Sequence, residues 1–217
     1  MFEKNRHKRK FINFVLNEIE EINNPNILEF GVSERGMSTE LFLNLCEKKN
    51  GKLFSIDTNS NVRKFDTKNW KFINNRDDNF VEIEKIINGQ IFDIIYLDTI
   101  HKAEHVAKIL FHYYDRLKKG GYFFIDDTSW LSYTQAREKN NFSIEINNQE
   151  TFEKLLEIHN LNHKNFDLEF SFVGTGVARI TKLSTKKLVM SKKIPTRKYS
   201  PLNFMRKIYL NLFKRNA

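Results

Sequence analysis

Five carboxylates fall where apolar runs end: Glu29 in NILEFG, Asp57 in KLFSIDT, Asp98 in IFDIIYLD, and Asp126 with Asp127 in YFFIDD. Acids at the ends of buried segments are costly unless hydroxyls, donors or cations meet them, so their gathering points to a ligand-binding edge. His101 follows Asp98 by three residues. An imidazole there can take a proton from a hydroxyl, which makes His101, with Asp98 beside it, the candidate catalytic pair. Asp98, Asp126 and Asp127 also form an oxygen-rich set suited to a hard cation such as Mg²⁺, which would stabilise a developing alkoxide. The same acids could instead bind substrate or cap loops.

His101-Lys-Ala-Glu104-His105 also spells H-x-x-E-H, the pattern of inverted zinc peptidases. A zinc helix needs both histidines and a third ligand on one face. Here the motif is tied through Asp98 to the end of an apolar run, and His105 reads as a helix-surface residue.

The elements that must hold these groups follow from periodicity. Residues 2–22 carry apolar positions at helical spacing until Asn24-Pro25 stops them. NILEF, KLFSID, WKFINN, IFDIIYLD and YFFIDD read as strands, and segments after Ser38, around FVEIEKIING and from His101 to the Lys118-Lys119-Gly-Gly stop read as helices. After an unpatterned insertion, Trp130–Asn148, comes a helix near Gln149–His159, and FDLEFSFVGTGVARITK gives two strands joined through Gly174 and Gly176. Alternating strands and helices predict a Rossmann-like, doubly wound α/β fold, with a mostly parallel seven-stranded sheet and an antiparallel edge hairpin. In such sheets ligands bind beyond the carboxyl ends of the strands, where the five acids lie.

Gly31 and Gly36 sit between the first strand and its helix, with Ser38 and Thr39 as helix-start hydroxyls. Glycine lets the chain turn tightly and a ligand approach the backbone. The G-x4-G spacing departs from the G-x-G-x-x-G of nicotinamide-dependent oxidoreductases. Asp57 adds a carboxylate able to accept from both hydroxyls of a ribose.

The chain has 217 residues, 40% hydrophobic, and a net charge of +9. From Thr181 onward there are eleven Lys or Arg and no acid, leaving 25 basic against 27 acidic residues at positions 1–180. Basic character belongs to the tail, and to a smaller cluster, KNRHKRK, near the start. This divides the chain into a body, 1–181, and a tail, 182–217. PLNFMRKIYLNLFKRN places Leu202, Met205, Ile208, Tyr209, Leu212 and Phe213 on one helical face amid basic residues, suited to an anionic membrane surface or to a partner subunit in a homodimer. Nucleic acid is a poor fit without interleaved aromatic platforms. No apolar run approaches the roughly 18 residues of a membrane span, and the first apolar stretch is too short for a signal sequence, so a cytoplasmic protein, peripheral at the membrane, is expected. Cys46, the single cysteine, lies among leucines and reads as a buried structural thiol.

Taken in order, ILEFGVSERGMST, SIDT, FDIIYLDTIHKAEHV and LKKGGYFFIDD resemble a class I S-adenosylmethionine-dependent methyltransferase, of the small-molecule O-methyltransferase kind with an acidic pair after strand five. The resemblance covers residues 25–181. It implies that Glu29, Gly31, Gly36 and Ser38 serve the methionine part of the cofactor, that Asp57 holds its ribose, and that Asp77 or Asp78 approaches its adenine. The expected reaction is O-methylation of a sugar or another small hydroxylated acceptor; the alternative is a non-catalytic or hydroxylase-like relative acting as a membrane-attached accessory protein of glycan assembly.

Overall fold

The computed structural model describes residues 10–129 and 142–190 (backbone alone for 142–145), with Pro201, Leu202, Phe204, Met205, Ile208 and Tyr209. A leading helical segment, π-helical over Ile12–Leu16 and α-helical over Asn17–Ile19, precedes β1 (Asn26–Phe30). Helix α1 (Met37–Lys49) follows and ends at Asn50, whose left-handed φ of 55° and N–H to Cys46 O close the last turn before β2 (Lys52–Asp57). Then come β3 (Trp70–Asn74), α2 (Phe80–Ile87), β4 (Phe92–Leu97), α3 (Ala103–Tyr113), a 3₁₀ turn (Tyr114–Arg116), β5 (Leu117–Asp126), α4 (Phe142–Asn162), β6 (Phe166–Ser171) and β7 (Val177–Lys182).

The seven strands form one sheet in the order β3-β2-β1-β4-β5-β7-β6. β1 to β5 pair in parallel, and β7 runs antiparallel to both β5 and β6. This is the architecture expected from the sequence. All six residues of β4 are buried, as a central parallel strand covered on both faces requires. Alternate side chains feed two cores. Leu28, Phe30, Ile56, Ile95 and Leu97 pack with α2, α3 and α4 on one face, whereas Ile27, Ile94, Tyr96 and Phe124 pack with α1 and the leading segment on the other.

Three boundaries differ from expectation. The helix after His101 stops at Tyr113, and LKKGG belongs to β5: Leu117 pairs with Phe92, and a register shift then brings Tyr122 opposite Ile94. Gly121 sits in that bulge, where a Cβ would fall 2.6 Å from the carbonyl oxygen of Asp93. Helix α4 begins at Phe142, inside the segment read as an unpatterned insertion, of which residues 130–141 lie outside the described residues. Lys182, assigned to the tail, closes β7: it is buried and its Nζ donates to the carbonyls of Tyr114 (2.7 Å) and Leu117 (2.6 Å). Val189 N–H still donates to Asn162 Oδ1 at 2.8 Å, so the body's contacts extend past the boundary at 181.

Candidate functional site

The strand order reverses direction between β1 and β4, the switch point at which open α/β sheets leave a crevice. Asp98 N–H donates to Phe30 O (2.8 Å) and Gly31 N–H to Ile56 O (2.9 Å), so the ends of β1, β2 and β4 are tied together. Gly31 has φ +92°, and a Cβ there would lie 1.9 Å from the carbonyl oxygen of Asp98. Only glycine fits this crossing.

Above it opens a cavity of about 330 Å³, lined by Gly31, Asp57, Asp77, Asp98 and Thr99 among others. Asp57 Oδ2 accepts from Val32 N–H (2.6 Å) and Oδ1 from Asn59 N–H (2.7 Å). Each carboxylate oxygen has a second lone pair, so Asp57 fixes the turn after β1 and can still accept hydroxyls from the cavity. Asp77 is held by Thr99 Oγ1 (2.5 Å) and by His105 Nε2 (2.7 Å), both at its Oδ2. Its neighbour Asp78 turns instead to Arg76 (2.9 Å) and Lys108 (3.3 Å), and the Arg76 guanidinium lowers its carboxyl to about 2. Of the two acids proposed for adenine, Asp77 is the one at the cavity.

Glu29, Gly36 and Ser38 are not among the residues that line this cavity. Glu29 is fully buried; Ser38 Oγ donates to its Oε1 at 2.6 Å, and Thr39 Oγ1 (2.9 Å) and Ser55 Oγ (2.7 Å) donate to its Oε2. Trp70 Nε1–H supports Ser55 in turn at 3.0 Å. Burial raises the Glu29 carboxyl to about 7 despite these three donors. The network ties β1, β2, β3 and the first turn of α1. Gly36, left-handed at φ +57°, starts α1 against the ring of Phe65.

His101 is not among the residues that line the cavity; its Nε2 is 3.6 Å from Asp98 Oδ1 and 3.5 Å from Asp127 Oδ2. It precedes α3, where Lys102 is still extended, so helical i, i+4 spacing does not relate it to His105. The two histidines go to different acids, and the zinc spelling is coincidental. His105, read as a surface residue, is instead a nearly buried partner of Asp77, with 11% of its side chain exposed. Asp98 has 39% of its side chain exposed to the cavity, which tempers the effect of burial. Its carboxyl is nonetheless pushed upward, by the protein around it and then by the like charges of Asp126 and Asp127.

The acidic pair after β5 divides. Asp127 takes a left-handed φ of 57° and turns towards His101. Asp126 is buried and points the other way: Lys10 Nζ and Asp127 N–H (2.8 Å) donate to its Oδ1, and Tyr96 Oη–H donates to its Oδ2 at 2.8 Å. Burial and the adjacent Asp126 hold the Tyr96 phenol well above its ordinary value, keeping it a proton donor. Among the described residues, no group of three His, Cys, Asp or Glu is placed to hold a metal ion. The set Asp98, Asp126 and Asp127 does not fit Mg²⁺ here, because Asp126 is already committed to Lys10 and Tyr96.

Comparison with known proteins adds to this geometry. Residues 28–128 match a family model described as a methyltransferase domain. Over that span, just under half of its length, the chain is similar to a methyltransferase domain. That domain spans β1 to the end of β5, the strands that bear Gly31, Asp57, Asp98 and Asp127. Solved structures agree in fold. The MycE methyltransferase of the mycinamycin biosynthetic pathway, in complex with Mg, SAH and mycinamycin VI, is 18% identical with a TM-score of 0.55, over 88% of this chain and 51% of that one. The chain thus spans about half the length of MycE. The SAH-bound methyltransferase PaMTH1 of Podospora anserina is 15% identical with a TM-score of 0.56, over 73% and 71% of the two chains. An O-methyltransferase family protein from Burkholderia thailandensis is 10% identical with a TM-score of 0.52, over 82% and 58%. No curated protein matches the chain.

Proposed function

We infer that this methyltransferase domain binds S-adenosylmethionine in the switch-point cavity and transfers its methyl group to an oxygen of a small hydroxylated acceptor such as a sugar. The observation that carries the reading is the cavity itself, floored by Gly31 at the β1–β4 crossing and flanked by Asp57 and Asp98. Gly31 leaves room for a ligand against the backbone, and Asp57 offers lone pairs suited to a ribose diol. When bound, the cofactor supplies an electrophilic methyl on a sulfonium.

The acceptor hydroxyl must give up its proton as it attacks, and an alcohol does not do so unaided near neutrality. His101 is the base in this reading, since its Nε2 is the imidazole nitrogen that faces the acidic edge. As the new C–O bond forms and the methyl leaves sulfur, the hydroxyl proton passes to Nε2. Asp127 and Asp98, within 3.6 Å of that nitrogen, then balance the charge the ring acquires. His101→Asn should reduce turnover in an assay with sugar acceptors and radiolabelled cofactor, while cofactor binding is preserved; unchanged turnover would remove His101 from the chemistry.

For the tail, we propose adsorption to anionic membrane. The described residues Leu202, Phe204, Met205, Ile208 and Tyr209 are helical with side chains 43–68% exposed, in a region with eleven basic residues and no acid. No helix among the described residues is long and apolar enough to cross a membrane. Sedimentation with phosphatidylserine vesicles should capture the full chain at low salt and release it as salt rises, and a chain cut after Met190 should stay in the supernatant. Equal capture of both would contradict this reading.

A further inference from the structure

Lys10 was legible only as one member of a basic run, yet it is 3% exposed, among the most deeply buried charges of the fold. Its ammonium has three donors and three partners: Asp126 Oδ1, Thr175 Oγ1 (3.0 Å) and Gly176 O (3.2 Å). Packing fixes it there. The adjacent Phe11 makes edge-to-face contacts with Phe42 (5.0 Å between centroids) and Tyr96 (5.3 Å), and Tyr96 is the residue that donates to the other oxygen of Asp126. Arg179 of β7 pairs with Glu18 at 2.7 Å, pinning the far end of the leading segment to the sheet.

We propose that Lys10 is a built-in cation of the acidic edge: its ammonium holds Asp126 where a divalent ion would otherwise bind, and so leaves Asp127, His101 and Asp98 to face the acceptor without a metal at Asp126. The chemistry is one of occupancy and charge. Mg²⁺ must approach each ligand oxygen to about 2.1 Å with near-octahedral geometry. Asp126 Oδ1 already receives an ammonium and a backbone N–H, and Oδ2 receives a phenol, so a metal would have to displace these donors beside a fixed positive charge. Lys10 acts through Asp126 and not on the acceptor, so it is a positioning residue. Its pairing also makes the leading segment part of the site, since the segment's first described residue neutralises an acid at the end of β5.

Mn²⁺ binding to the 217-residue chain, read by electron paramagnetic resonance without cofactor or acceptor, tests this independently of the methyl-transfer reading. In the native chain, Asp126→Asn should leave Mn²⁺ affinity within about twofold. Lys10→Met should raise affinity at least tenfold, and Lys10→Met/Asp126→Asn should lose that gain; Lys10→Arg, which keeps the charge, should resemble the native chain. A tenfold loss of native affinity on Asp126→Asn would show Asp126 to be a metal ligand despite Lys10 and would overturn the proposal. So would a Lys10→Met protein, folded by circular dichroism, with native Mn²⁺ affinity. Should Lys10→Met not fold, the Asp126→Asn comparison alone still decides.

Discussion

Gly31 and Asp98 meet where β1 and β4 diverge, with a Cβ on Gly31 placed 1.9 Å from the carbonyl oxygen of Asp98. Real Cβ atoms do not approach so closely, and a φ of +92° adds strain for any side chain. Gly31→Ala should therefore lower the melting temperature and abolish the stabilisation that S-adenosylhomocysteine gives the native protein in a thermal shift assay. A Gly31→Ala protein with native melting behaviour and ligand response would show that the strand ends can part without consequence.

Glu29 sets a pH dependence. Its carboxyl rises from an ordinary 4.5 to about 7 in the fold, so its contribution is full below about pH 4.5 and is lost as pH climbs through 7. At about 1.4 kcal/mol per factor of ten in proton affinity, the loss is about 3 kcal/mol. Urea denaturation at pH 5 and pH 8 should show the native protein losing stability relative to Glu29→Gln over this interval. A difference that stays constant, or that grows in favour of the native protein towards pH 8, would mean the three hydroxyl donors outweigh burial.

His101→Ala should lower turnover by about 10²–10⁴-fold, the range for removing a general base, with cofactor affinity nearly unchanged. Asp127→Asn should have a smaller effect on turnover, because Asp127 only balances charge on the ring from 3.5 Å. Rate measurements with cofactor saturating separate the two. A larger loss on Asp127→Asn than on His101→Ala would mean that Asp127 and not His101 receives the proton.

Much of this was legible in the sequence, for a physical reason. Parallel strands buried on both faces must be apolar runs, so NILEF, KLFSID and FDIIYL announced themselves, and the acids closing them marked the edge where Asp57 and Asp98 stand. Gly31 was legible because a strand-to-helix turn in a tight crossing needs glycine. Three things were hidden. Asp127 breaks strand alternation by turning left-handed, so Asp126 and not Asp127 left the site. His105 read as a helix-surface residue, but its side chain is nearly buried against Asp77. Lys10 lies 116 residues from Asp126, and no local pattern relates them. Glu29 was found by position, but only packing reveals the three hydroxyls around it.

The central claim is that the switch-point cavity holds S-adenosylmethionine through Asp57, and isothermal titration calorimetry of the 217-residue chain with S-adenosylhomocysteine tests it most directly. The native protein should bind with a micromolar dissociation constant, and Asp57→Ala, which loses a charge-assisted acceptor, should bind about 1–3 kcal/mol more weakly while unfolding cooperatively. No heat with S-adenosylhomocysteine or S-adenosylmethionine, together with binding of NAD by the same folded protein, would contradict it.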